Sequence, residues 1–401
     1  MFLKRIEIDN YKSLKGVVVE PTPLMALVGP NAAGKTNFCE ALDFLSRVYE
    51  WNLERAVTAK GGYENICYRD GEGLSRDPIR FGMVVEQMLL VPLGKITVQV
   101  GWEHAFEFER DQPASSLLVT MEDLTYRGPQ GSVHLKRKGD HFQTVELSRV
   151  EMSGEMDASL AAAILGMALP RGELILPPYS AVVLGNLPAP RMVGLRVFQL
   201  SALAARSMGS PIPDPNLERF GGNLPAVILH LKRYYPEAYD QILVSLQRVL
   251  PGVEGLEVTQ ARTLALSLQQ GGHSWPVEDL SDGTLQAIST LAAAFDPRIS
   301  VLVLEEPENH VHPWALRGFA EAFREASKTK QIILTTHSPI LLDQLKPEEI
   351  WIVQKPGSVT KIDPLLTLDP SLKESWEGGH FTLSEYLDSG ALPEAVPAAA
   401  P

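Results

Sequence analysis

The stretch VGPNAAGKTNF, residues 28–38, constrains this chain more than any other. Before it, residues 24–28 (LMALV) form a continuous apolar run of strand length. After it, Phe38, Ala41, Leu42, Leu45 and Val48 recur at helical spacing. The turn between them fits G-x-x-x-x-G-K-[ST] through Gly29, Gly34, Lys35 and Thr36, the pattern of a phosphate-binding loop. A triphosphate is bound best by unpaired backbone N–H groups at a helix N-terminus, which side chains would screen. Gly34 leaves that approach open. Lys35 places a cation near the β- and γ-phosphates, and the Thr36 hydroxyl can ligate Mg²⁺. Asn31 and Asn37, inside and just after the loop, complete the candidate nucleotide set. An ordinary Gly/Asn turn uses the same residue types. It does not require a strand before it and a helix after it.

Composition sets the outer bounds. The 401 residues, 45% hydrophobic and 21% charged, suffice for two or three domains' worth of globular core. Two cysteines, Cys39 and Cys67, exclude a disulfide framework and a four-cysteine zinc site and fit a reducing, cytoplasmic setting. The opening MFLKRIEIDNYK alternates apolar and charged residues, so a strand is expected there and not a signal peptide. No apolar run is long enough to cross a bilayer, and no membrane partner is expected. The net charge of -13 argues against a protein coated with nucleic acid, but a local basic groove is compatible with it.

Along the chain, residues 2–8 and 17–19 read as a β-hairpin leading into the loop. Residues 79–150 read as successive antiparallel strands, with turns at 127–131 and 138–140. Residues 155–169 and 223–250 read as helices, joined by Pro/Gly-rich connections at 170–194 and 208–222. A further hairpin is centred on residues 270–273. From residue 280 onward helix and strand alternate, the mark of a parallel layered sheet. An Ala/Pro tail is expected after residue 390. There is no internal repeat and no sustained heptad pattern.

Two further stretches suit a nucleotide site. In VLVLEEPENHVHP, residues 301–313, an apolar strand ends in Glu305 and Glu306. Carboxylates at the mouth of a buried strand are costly unless they serve a cation or a polar substrate. Beside a phosphate loop, Glu305 would hold Mg²⁺ and Glu306 would deprotonate the attacking water. Alone, the pair would equally suit a solvated loop. In LTTHSP, residues 334–339, His337 follows another apolar strand and can reach the γ-phosphate or the water; it could also cap the loop. His310, His312 and Glu308 invite a metal reading, but His312-Pro313 reads better as the start of a helix. In DLSDGTLQ, residues 279–286, Ser281 reads as a helix N-cap.

Together these motifs resemble the ABC-class ATPases of the SMC/RecF/OLD type, compact AAA-family ATPases of the kind found in bacterial phage defence. LKRIEIDNYKSLKG resembles the group's first strands. LSDGTLQ resembles its signature, VLVLEEPENHVHP its Walker B and D-loop, TTHSP its switch-histidine loop, and ERFGGNLPAVILHLKRYY (218–235) a helix start common in compact members. The resemblance spans roughly the first fifty residues and most of 218–345. It implies an α/β P-loop head with a parallel core sheet, an antiparallel β subdomain and a helical lobe. The expected domains are 1–50 and 253–365 for the head, 51–252 for a β-rich and helical insert, and 366–401 for an extension. It implies ATP and Mg²⁺ as ligands. It also implies a homodimer, or a larger homo-oligomer, whose heads sandwich ATP head-to-tail. Ser281 and Gly283 of one subunit would then face Lys35 and Glu306 of the other. The chain departs from the group's pattern in reading Leu-Ser-Asp-Gly-Thr at the signature and Glu305 in place of the usual Asp. Both departures look typical of the small soluble branch. The family's Q-loop has no clear counterpart; Gln87 is the candidate.

Four functions compete. The first is an ATP-driven switch for a separate nuclease or effector, since OLD-type relatives carry a fused nuclease for which the stretch after His337 leaves no room. The second is a RecF-like repair ATPase with DNA as partner, for which Lys4, Arg5, Lys12 and Lys15 would supply basic charge. A transporter subunit lacks its membrane context. A nuclease built on Glu305, Glu306 and Glu308 would need acids that the ATPase reading already uses.

Overall fold

The computed structural model describes residues 1–70, 73–75, 77–91, 96–110, 117–128, 131–139, 141–149 and 194–393. The helix expected at 155–169, most of the connection at 170–194, parts of the two turns and the end of the tail lie outside them. Strands β1 (Phe2–Asp9), β2 (Val17–Val19) and β3 (Leu24–Val28) precede helix α1 (Lys35–Glu50). Short elements follow: α2 (Leu53–Ala59), α3 (Tyr63–Ile66), β4 (Arg69–Asp70) and β5 (Gly73–Leu74). Long strands β6 (Ile79–Val91), β7 (Ile96–Arg110), β8 (Leu117–Gly128), β9 (Gly131–Lys138) and β10 (His141–Arg149) come next. The later part holds β11 (Leu195–Phe198), α4 (Ala202–Ala205), α5 (Leu224–Tyr234), α6 (Pro236–Val249), β12 (Val253–Gln260), β13 (Leu264–Gln270) and β14 (His273–Pro276). It continues with α7 (Asp282–Phe295), β15 (Val301–Glu305), α8 (Pro313–Ala326), β16 (Gln331–Thr335), α9 (Pro339–Leu342), β17 (Ile350–Gln354) and β18 (Lys361–Pro364). Three short helices close it: α10 (Leu365–Leu368), α11 (Leu372–Glu377) and α12 (Leu383–Asp388).

The chain forms two compact units. One comprises residues 1–21, 40–193 and 355–362. Its antiparallel sheet runs β10-β9-β8-β7-β6-β1-β2, and the expected hairpin is present, with Ile6 opposite Val19. Alternation explains its buried face: Trp102, His104, Phe106 and Phe108 of β7 all point inward. Phe44 of α1 stacks on Phe81 and Phe108 of that face, with ring centroids 5.3 and 6.0 Å apart.

The other unit comprises residues 22–39, 194–354 and 363–401. Its core strands run β11-β15-β16-β3-β17 and every neighbouring pair is parallel. Strands β3, β15 and β16 are buried along their whole length, as expected of apolar runs covered on both faces. The helix expected over 223–250 is two helices. Pro236 has no N–H to continue the first and instead starts the second at its favoured first position. A three-stranded sheet, β12-β13-β14, carries the hairpin around residues 270–273.

Candidate active site

Parallel register brings three loops to one edge of the core sheet. Thr335 of β16 pairs with Leu27 of β3 on one side and with Glu305 of β15 on the other. The segments after Val28, Glu305 and Thr335 therefore leave the sheet at the same level, at strand C-terminal ends where α/β folds bind ligands.

The first loop is shaped by its glycines. A Cβ on Gly29 would lie 2.0 Å from the Val353 carbonyl oxygen, so the strand next door excludes any side chain there. Gly34 has φ 110°, a conformation that L-residues rarely adopt. Lys35, only 6% exposed, donates from Nζ to the carbonyls of Gly29 (2.8 Å) and Pro30 (3.0 Å). Burial lowers its pKa, and Glu306 and Glu308 oppose that shift. Asn31 and Thr36 are exposed and Asn37 is half-buried.

Glu305 ends β15 and is 6% exposed. Burial raises its pKa, against the pull of Arg219 and of a hydrogen bond with Thr36. Arg219 Nη2 donates to Glu305 Oε1 at 3.2 Å. Thr36 and Glu305 thus present adjacent oxygen donors, the donor type that Mg²⁺ takes.

Glu306 has φ 47°, unusual for a residue other than glycine, asparagine or aspartate. Its backbone N–H donates to the Thr335 carbonyl (3.2 Å) and to Thr335 Oγ1 (3.1 Å), which hold it there. Its Oε2 accepts from Asn309 Nδ2 at 3.0 Å. Strain of this kind persists only where the surroundings over-determine it, and it concentrates at functional sites. His337 is exposed; burial of part of the ring and the nearby Lys35 cation lower its pKa, which favours the neutral imidazole.

Ser281 caps α7, its Oγ accepting from the Thr284 N–H at 3.2 Å. Gly283 has an intrachain reason to be glycine. A Cβ there would meet the His310 carbonyl oxygen at 2.5 Å. His312 caps α8, Nδ1 accepting from the Trp314 N–H at 3.2 Å, so the helix-start reading holds. Among the described residues no group of three or more His, Cys, Asp or Glu side chains is placed to hold a metal ion.

Two residues of the site, Arg219 and Arg206, escaped the sequence reading, and a third, Glu308, was read there only for a metal or nuclease role. Arg219 lies within ERFGG, read only as a helix start. Arg206 donates to Asp282 Oδ1 (2.7 Å) and to the Leu280 carbonyl (2.6 Å), bracing the turn that Ser281 caps. Glu308 Oε1 accepts from Thr336 Oγ1 (2.7 Å) and from the His337 N–H (2.8 Å).

In the antiparallel unit, each of the four N-terminal cations faces an acid. Lys4 pairs with Glu86, Arg5 with Glu7 and Glu20, Lys12 with Glu40, and Lys15 with Asp77. Gln87 lies within β6, opposite Val100 of β7. No helix among the described residues is long and apolar enough to cross a membrane.

Residues 199–343 match a family described as "AAA domain, putative AbiEii toxin, Type IV TA system", and residues 1–73 match "AAA ATPase domain". The chain is 24% identical over 381 residues to an OLD nuclease of Thermus scotoductus, covering 88% of this chain and 62% of that protein. It therefore spans less than two thirds of that relative's length. The fold is similar to that of an SMC head crystallised with the C-winged helix domain of ScpA, with TM-score 0.51, 12% identity, and coverage of 90% of this chain and 97% of that one. In its fold and its matched domains, the chain is similar to SMC/OLD-like ABC-type ATPases.

Proposed function

We propose that the chain binds ATP with Mg²⁺, hydrolyses it in a head-to-tail dimer, and uses the cycle to switch a nucleic-acid-targeting nuclease partner in phage defence. The observation that carries this reading is the convergence of Lys35, Thr36, Glu305, Glu306 and His337 at one sheet edge. The N-terminus of α1 offers its free N–H groups to the phosphates. Lys35 exchanges its two carbonyl acceptors for phosphate oxygens. Thr36 and Glu305 hold Mg²⁺, which when bound neutralises charge on the phosphate oxygens. Glu306, fixed by Thr335 and Asn309, takes the proton of the attacking water. His337, in its neutral form, can accept or donate a hydrogen bond beside the transferring group. Ser281 and Gly283 of a second head complete the site, the α7 N-terminus lending its dipole.

The nuclease partner is supported by the OLD nuclease relative, and defence by the compact members that the motifs resemble. Nothing in the hairpin favours the RecF-like alternative, since its cations are already paired. The test has two arms. Purified protein should hydrolyse ATP and shift from monomer to dimer on adding ATP, most clearly with Glu306→Gln. Cells expressing the chain with its genomic neighbours should resist phage, and Lys35→Ala should abolish that resistance. A monomer under all nucleotide conditions would remove the dimer, and resistance unchanged by Lys35→Ala would remove the switch.

A further inference from the structure

Residues 306–311 link two parts of the site that sequence treats as separate. At one end, Glu308 Oε1 accepts two hydrogen bonds from the switch loop, from the fully buried Thr336 hydroxyl and from the His337 backbone. The Thr336 oxygen in turn accepts from the Ser338 N–H at 3.0 Å. At the other end, the His310 carbonyl lies where a Gly283 side chain would be, and His310 holds φ 64° to put it there. In between, turn bonds make the loop stiff: Asn309 N–H to the Glu306 carbonyl at 3.1 Å and Val311 N–H to the Glu308 carbonyl at 3.0 Å. Among the described residues, the second carboxylate oxygen of Glu308 is buried and makes no hydrogen bond, so the bonds that hold the side chain are the two through Oε1. A buried acceptor left half-satisfied is costly and calls for an explanation.

We propose that Glu308 is a positioning residue, and that the loop 306–311 couples the signature turn at Gly283 to the switch histidine. Displacing the His310 carbonyl shifts Glu308, and with it the backbone of His337; the same loop carries Glu306. Contact made by a second head at Ser281–Gly283 thereby reaches the hydrolytic residues. This rests on the ATPase reading above, but it makes a claim about the nucleotide-free chain that stands apart from turnover.

Amide hydrogen exchange at His337 in the full chain without nucleotide tests the coupling directly. Glu308→Ala removes the acceptor, and exchange at that amide should quicken about 10-fold or more, the behaviour of a backbone bond released to solvent. Glu308→Gln keeps an oxygen acceptor and should exchange like the wild type. Gly283→Ala should quicken exchange at His337 from the far end of the loop. Unchanged exchange in Glu308→Ala or in Gly283→Ala would overturn the proposal.

Turnover then tests the consequence. Glu308→Ala should lower kcat by about 10-fold or more with KM little changed, a cost typical of a small misplacement of a reacting group. In a His337→Ala background the same substitution should cost little further. Equal losses in both backgrounds would show that Glu308 acts independently of His337 and would overturn its role. Absence of any turnover in the wild type would instead defeat the ATPase reading, while the exchange result would still decide the coupling.

Discussion

Two clusters, one in each unit, bury charge in opposite ways. In the antiparallel unit, Glu122 is fully buried and its two oxygens are both taken, by His104 Nε2 at 2.8 Å and Arg137 Nε at 2.7 Å. The far nitrogen of His104 meets the Tyr49 hydroxyl at 2.6 Å. That network is closed and leaves nothing for a ligand to supply. At the sheet edge of the parallel unit, Lys35 leans on carbonyls of its own loop, burial raises the pKa of Glu305 despite Arg219, and one Glu308 oxygen makes no hydrogen bond among the described residues. Buried charge that is fully paired specifies a fold, whereas buried charge that is only provisionally paired marks a place where a ligand completes the set.

The largest effect expected from this contrast is at Lys35. Lys35→Ala should abolish measurable ATP binding, a loss of a few kcal/mol, because the triphosphate loses its main cation. Wild-type affinity by calorimetry would end the phosphate-loop assignment. Glu306→Gln should bind ATP normally and turn it over about 100-fold more slowly, as expected on losing a general base. If Glu305→Gln stopped turnover and Glu306→Gln did not, the division of labour between the two acids would be reversed.

Paired removal of arginines sharpens the comparison. Arg137→Met strands the closed carboxylate and should cost about 3 kcal/mol of stability. Arg219→Met should cost about 1 kcal/mol, since Glu305 keeps its Thr36 contact at the rim of an open site. Equal losses in chemical denaturation would erase the distinction between closed and open networks.

The smallest change per step concerns a buried cation away from the proposed chemistry, read one pH unit at a time. Lys330 is 4% exposed, donates to the Asp296 carbonyl at 2.6 Å, and burial lowers its pKa to about 8. The unfolded chain keeps that proton to near 10.5, so it binds more protons than the native state between the two values. Stability relative to Lys330→Met should therefore rise with pH across this window, by about 1 kcal/mol per pH unit. A flat difference between pH 8 and 9 would show that Lys330 titrates normally.

Much of this was legible because its causes are local. The strand, loop and helix at 24–50 follow from residue order alone, as do the Ser281 and His312 caps. The inward histidine was readable in principle: His104 shares the parity of Trp102, Phe106 and Phe108, and Glu122 that of Leu124 and Tyr126. What sequence could not give was pairing across distance. Arg206 meets Asp282 over 76 residues, Arg219 meets Glu305 over 86, and Glu308 meets His337 over 29. Such contacts depend on the sheet order, which places β16 between β15 and β3 against their order in the chain. The break at Pro236 is local too, since a proline without an N–H ends one helix and starts the next. The short helices α10 to α12, four to six residues each, are too brief to show a helical period.

The central claim is that two chains share each ATP site, and mixing two inactive proteins tests it most directly. Ser281→Arg should still bind ATP through Lys35 and Thr36 but lose turnover, because the arginine fills the contact with the second head. Were Ser281 a helix cap alone, the change would cost about 1 kcal/mol of stability and leave turnover largely intact. Ser281→Arg mixed with Lys35→Ala should regain activity, since the intact loop of the first would face the intact signature of the second. Mixed dimers that form and remain inactive would contradict the shared site.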